Sequence, residues 1–135
     1  MGVIAKIVEV IAPELAATDE LIMIGARSHN EGDTGDIYVR FIDRDTGGMI
    51  PVVVSPNVEY CSSPGGARQI AMPPKNWNLR LEVGEGYPTN PISITDTQNL
   101  IILNPEYPPP KPSIIKTLAV TLGPIVVGAI ISRKR

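Results

Sequence analysis

Residues 114–132 carry one charge in nineteen positions and are closed by Arg133, Lys134 and Arg135. A run of this kind either crosses lipid or is buried in protein, so it limits every fold the chain can adopt. As a helix rising about 1.5 Å per residue it measures about 28 Å, against a hydrocarbon core of about 30 Å. Ile114, Leu118, Leu122, Val127 and Ile130 supply apolar length, and the one charge, Lys116, lies near the first end, where its side chain can snorkel to the headgroups. Ala119 and Gly123 stand four apart on one helical face, a small-x-x-x-small pattern that lets two helices approach closely. Pro124 removes one intrahelical hydrogen bond and bends the helix, which a neighbouring helix can accommodate. The other outcome is a buried C-terminal helix or strand of a soluble domain, and Gly123-Pro124 with the β-branched residues is compatible with it. The expectation taken forward is a single transmembrane helix over 113–135 with a basic C-terminal end.

Upstream of the tail about 105 residues remain, enough for one domain with a modest core. Pro and Gly make up 26 of the 135 residues, which breaks the chain into short elements and favours strands over helices. The formal charge of −2 conceals a division. Residues 1–110 hold seven basic against 14 acidic residues, a net of −7, whereas 111–135 hold five basic residues and no acidic one. An acidic domain lacks the clustered Lys and Arg that phosphate binding requires, so nucleic acid is not the expected partner. With Cys61 the sole cysteine, no intrachain disulfide and no cysteine-based metal cluster can form. The opening MGVIAKIVEV has no basic start, long apolar stretch and cleavage site, so it is not expected to be a secretory signal. Gly2 is not expected to be myristoylated, because Lys6 stands where Ser or Thr is required.

The dominant period in residues 1–103 is two. In Trp77-Asn78-Leu79-Arg80-Leu81-Glu82-Val83, apolar and polar residues alternate without a fault, which puts Trp77, Leu79, Leu81 and Val83 on one buried face. Likewise Ile37, Val39 and Phe41 share a side opposite Tyr38, Arg40 and Ile42. That strand leads through Arg44-Asp45-Thr46-Gly47-Gly48 into a second apolar run at 49–55, the pattern of a hairpin. Further runs at 3–11, 20–28, 69–72, 92–95 and 100–103 bring the expected count to about eight strands. Gly84-Glu85-Gly86 and Ser63-Pro64-Gly65-Gly66 are read as turns. The fold expected is all-β, an immunoglobulin-like antiparallel β-sandwich over 1–103. Residues 104–112 contain five prolines and form an expected extended spacer before the helix.

The succession of an opening Ile/Val strand ending in Ala12-Pro13, then Leu21-IMIGARSHNEG, Asp36-IYVRFIDRDTG and Met72-PPKNWNLRLEVGEG resembles the CARDB-type adhesion domains over about residues 3–103. The resemblance implies an immunoglobulin-like sandwich of prokaryotic cell-surface proteins, with similar single copies in proteins of archaea and their viruses. Two departures from the pattern are expected, the lack of an export signal in the opening residues and a single copy where such domains often come in tandem.

Chemistry-bearing residues are sparse. The one histidine, His29, is read in the turn Ser28-His29-Asn30-Glu31-Gly32, with no Cys or second His nearby to complete a metal site. No Gly-x-Ser-x-Gly elbow is present to expose a serine nucleophile. Glu31, Asp33 and Asp36, with Asp43 and Asp45, are candidate paired carboxylates. Calcium needs about six or more oxygen ligands. Asp43-Arg44-Asp45-Thr46-Gly47-Gly48 resembles the start of a calcium loop, but its twelfth place is Val54, which cannot ligate. Turn formation is the expected role. No catalytic, cofactor-binding or metal site is therefore expected.

The function expected is that of a non-enzymatic, membrane-anchored structural protein of a virion or cell envelope. The membrane-containing viruses of archaea or bacteria are the foremost candidates. Its sandwich would lie outside, packing with copies of itself or with other envelope or virion proteins, while Arg133, Lys134 and Arg135 stay inside. The alternative is a receptor- or carbohydrate-binding module on the same anchor, using the loops around 28–35 and 84–90.

Overall fold

The computed structural model describes residues 2–107. The expected helix at 113–135, with Ile114, Lys116, Leu118, Ala119, Leu122, Gly123, Pro124, Val127, Ile130, Arg133, Lys134 and Arg135, and spacer residues 108–112 lie outside the described residues.

Seven strands follow one another: β1 (Ala5–Ile11), β2 (Leu21–Asn30), β3 (Gly35–Asp43), β4 (Met49–Val58), β5 (Gly65–Ala71), β6 (Trp77–Tyr87) and β7 (Asn90–Ile102). They form two antiparallel sheets, β1-β2-β5 and β4-β3-β6-β7. The two sheets stack as a β-sandwich whose core is filled from both inner faces. Ile22, Ile24 and Ala26 of β2 contribute from one sheet. Ile37, Val39 and Phe41 of β3 and Leu79, Leu81 and Val83 of β6 contribute from the other, with Trp77 closing one end. The period of two explains this directly, because alternate side chains of a strand point to one face.

The strand count differs from the expected eight because 92–95 and 100–103 belong to one 13-residue strand, β7. The polar residues between them face solvent at the edge of a sheet rather than forming a turn. Three expected turns also fall inside strands. Gly65 and Gly66 open β5 opposite Arg27 and Ala26, and His29 is paired with Lys6 near the end of β2. Gly84-Glu85-Gly86 lies within β6, flanked by register shifts at Val83/Gly84 and Glu85/Gly86. A Cβ on Gly84 would run into the Ser93 carbonyl, and Gly86 has φ +111°. Both glycines therefore permit a local bend that another residue would obstruct.

That bend has a structural result. Arg40 is paired across the ladder with Glu82, yet its Nη1 donates to the Pro88 carbonyl at 2.7 Å. Six residues of extended strand would separate the two by about 20 Å, so the β6–β7 hairpin must curl back over the outer face of the sheet. Tyr87 Oη ties the hairpin down by donating to Asp36 Oδ2 at 3.1 Å. Pro88, Tyr38 and Glu82 are buried as a consequence.

Residues 104–107 remain attached to the sandwich. Asn104 is buried, its N–H donates to Asn76 Oδ1 at 2.8 Å and its Nδ2 donates to Thr18 Oγ1 and the Pro73 carbonyl. The Glu106 N–H returns a bond to Asn104 Oδ1. The chain thus leaves the sandwich at the end where β6 begins, opposite the β6–β7 hairpin.

Candidate functional site

Three polar assemblies organise the ends and the outer face of the sandwich. The first is at the end opposite the chain exit, where the candidate recognition loops fall. Asn30, fully buried, ties that end together. Its Oδ1 accepts from the Ile4 and Gly32 N–H groups, and its Nδ2 donates to the Asp33 and Val58 carbonyls. The Cys61 N–H donates to the Asn30 carbonyl, and Cys61 has φ +70°. Loops 31–34 and 59–64 are both tied to Asn30, the first through its side chain and the second mainly through its backbone, and the hairpin tip at 88–89 lies at the same end.

Of the candidate carboxylates, Asp36 is engaged in this framework, as is Glu85, which the sequence does not single out. Asp36 accepts from the Asn57 N–H at 2.9 Å and from Tyr87. Glu85 Oε1 accepts from the Val3 N–H. Among the described residues no group of three or more His, Cys, Asp or Glu side chains is placed to hold a metal ion. His29 Nδ1 lies 2.7 Å from Ser63 Oγ at the surface. A nucleophilic triad needs a third group to orient the imidazole, and the described contacts of His29 supply Ser63 alone.

The second assembly is the turn after β3. Asp43 Oδ1 accepts from the Asp45 and Thr46 N–H groups at 2.9 and 3.2 Å. Its Oδ2 accepts from Lys75 Nζ at 2.8 Å and Trp77 Nε1 at 3.1 Å. Burial alone would raise the Asp43 pKa, but the hydrogen bonds from Lys75, Asp45, Trp77 and Thr46 outweigh it and hold the carboxyl at about 2. Four donors occupy the acceptor directions of this carboxylate, so the acidic turn fixes the β3–β4 hairpin against Trp77. The turn is visible in the sequence, but the Trp77 indole that explains Asp43 is not.

The third assembly has no counterpart in the sequence reading. Glu82, on the outer face of β6, has a side chain only 3% exposed. Its Oε1 accepts from Arg40 Nε at 2.8 Å and Nη2 at 2.7 Å, and its Oε2 from Arg80 Nε at 2.8 Å. The Arg40 guanidinium lies over the Tyr38 ring, 5.5 Å from its centroid. Burial pushes the Tyr38 phenol up, Arg40 opposes the shift and Glu82 adds to it. The Tyr38 hydroxyl has no hydrogen-bond partner among the described residues. These groups carry the hairpin on a polar base, and the only sequence traces of the arrangement are Gly84, Gly86 and Pro88.

Exposed apolar side chains are distributed over both sheets. Leu21 and Met23 stand out from β2, and Ile92, Ile94 and Ile101 from β7. No helix among the described residues is long and apolar enough to cross a membrane. Comparison with protein-family models, curated proteins and solved structures returned no match.

Proposed function

We propose that the chain is a non-enzymatic, membrane-anchored structural protein of a virion or cell surface, whose β-sandwich is exposed and packs with copies of itself or neighbouring proteins. The observation that carries this reading is the apolar run 114–132 closed by Arg133, Lys134 and Arg135 and preceded by five prolines in 104–112. The basic end stays on the inner side and the acidic sandwich outside. The exit of the chain through the Asn104 bonds supports a sandwich that stands as one unit above the anchor.

The strand order supports an immunoglobulin-like reading of the sandwich. Named A to G in chain order, its sheets are A-B-E and D-C-F-G. The immunoglobulin constant-type arrangement is A-B-E-D over C-F-G, so one strand, the fourth, has changed sheets. Together with the sequence motifs this supports the CARDB-type resemblance.

A second reading, a displayed receptor- or carbohydrate-binding module, is favoured by one observation. Loops 31–34, 59–64 and 88–89 gather at the end farthest from the exit, with Tyr60 and Tyr87 exposed there. Binding to host-surface glycans by a chain whose lateral contacts are absent would favour it.

Liposome flotation tests the anchor. The full chain is expected to float and to resist carbonate extraction. The pair Leu122→Lys and Val127→Glu adds about 2.5–3.5 kcal/mol of insertion cost per charge for a lysine near mid-helix, and it is expected to move the protein to the soluble fraction. A wild-type chain recovered without lipid would overturn the anchor reading.

A further inference from the structure

The four edges of the sandwich are not equivalent. Edge strands pair with other chains unless they are blocked by proline, charge, bulges or cover. Strand β4 carries Pro51 and Pro56, which have no N–H to offer. Strand β5 is short and carries Arg68, whose Nη1 reaches across to the Pro51 carbonyl. Strand β1 is covered by β7 side chains, because Thr95 Oγ1 accepts from the Ala5 N–H and donates to its carbonyl, and Asp96 Oδ2 accepts from the Ile7 N–H.

Strand β7 is covered at two places. At one, in the middle of the strand, Thr95 and Asp96 meet β1. At the other, the Leu103 N–H donates to the Glu14 carbonyl and the Leu103 carbonyl accepts from the Ala16 N–H. Leu103 therefore directs its backbone groups away from β6, and alternation along the strand turns Ile101, Asn99 and Thr97 the same way. The Thr97 N–H confirms this parity, since it is met by the carboxylate of the adjacent Asp96 at 3.0 Å. No strand pairs with β7 on that side among the described residues. Residues 97–101 thus present a ladder edge that no strand covers, with the Asp96 carboxylate on the Thr97 N–H at its start, and Thr97-Gln98-Asn99-Leu100-Ile101 itself contains no charge and no proline in a domain of net −7.

We infer that this window is the lateral contact between copies, two β7 strands pairing antiparallel about a two-fold axis through Asn99. The inference rests on the proposed packing of copies. Centring on Asn99 places Asn99 opposite its own copy, a hydrogen-bonded pair that exchanges two bonds, and Thr97 opposite the partner's Ile101, where the partner's Ile101 carbonyl takes the place of the Asp96 carboxylate on the Thr97 N–H. The pairing joins two four-stranded sheets into one of eight strands. The uncharged window is what allows two acidic domains to meet here, because like charges directly opposed across strands are destabilising. An isologous contact also closes on itself and does not propagate into a fibre. Leu103 lies about 13 Å from the axis on either side, four residues at about 3.3 Å. Residues 108–112 have a contour of up to about 17 Å, so both tails reach one membrane when β7 lies along its plane.

A charge swap at Asn99 tests the contact, with the full chain in detergent micelles and mass photometry as readout. The wild type is expected to be dimeric. Asn99→Lys and Asn99→Asp, exposed positions that leave the melting temperature unchanged, are each expected to weaken the dimer at least tenfold. Mixing the two variants is expected to restore it, because Lys and Asp then face one another. A monomeric wild type, or an Asn99→Lys variant that dimerises like wild type through its tail helices, overturns the inference, and either result leaves the flotation outcome, and with it the anchor, unaffected.

Discussion

Glu82→Ala is expected to destabilise the sandwich by about 3 kcal/mol, lowering the melting temperature by more than about 10 °C. The cause is the stranded Arg40, only 15% exposed, which keeps its bond to Pro88 but loses the carboxylate that neutralises it. Removing one partner of a buried ion pair costs far more than the pair contributes, because an uncompensated charge stays in the protein. The Arg80 contact adds little, since that side chain is 42% exposed and solvent screens it. Replacing both partners, Arg40→Met with Glu82→Leu, is expected to recover much of the loss. Chemical denaturation of the three variants measures the effect, and a cost below about 1 kcal/mol for Glu82→Ala would show that the cluster does not support the hairpin.

Asp43→Asn is expected to cost about 2 kcal/mol at neutral pH and to change the acid response. The Asp43 carboxyl titrates at about 2 in the folded chain against an ordinary value of 3.8, and each tenfold change in proton affinity corresponds to about 1.4 kcal/mol. A depressed folded pKa means that the unfolded chain binds the proton more readily. The stabilisation is therefore fully present above about pH 5 and is lost as pH falls from about 4 to 2. The wild type should lose stability steeply in that window while Asp43→Asn loses less. Stability measured from pH 2 to 6 decides the matter, and parallel profiles for the two proteins would remove Asp43 from the account.

Much of the sandwich is legible in the sequence because its inner faces obey one rule. The alternation in Trp77-Asn78-Leu79-Arg80-Leu81-Glu82-Val83 and in Ile37, Val39 and Phe41 fixes which side chains point inward, and all of these apolar residues lie in the core. The same rule sends Tyr38, Arg40 and Glu82 to the other face, where it goes no further. Whether that face meets water depends on a hairpin returning from six residues along the strand, and nothing in the local pattern encodes the return. Glycine misleads for a related reason. At Gly84 and Gly86 it serves close approach and positive φ inside a strand, yet in sequence it looks the same as a turn glycine. The polar residues 96–99 resemble a loop because edge strands face solvent on several sides. Strand β7 consequently reads as two strands, and its uncovered ladder edge becomes visible only with the register in hand.

Membrane-impermeant maleimide labelling of right-side-out vesicles tests the anchored, outward-facing sandwich most directly. Cys61 is the one cysteine of the sequence and is exposed at the loop-bearing end. The account predicts that Cys61 is labelled in sealed vesicles. In a Cys61→Ser background, Arg135→Cys should be labelled only after the vesicles are permeabilised. Labelling of Arg135→Cys in sealed vesicles, or protection of Cys61 until they are opened, would contradict it.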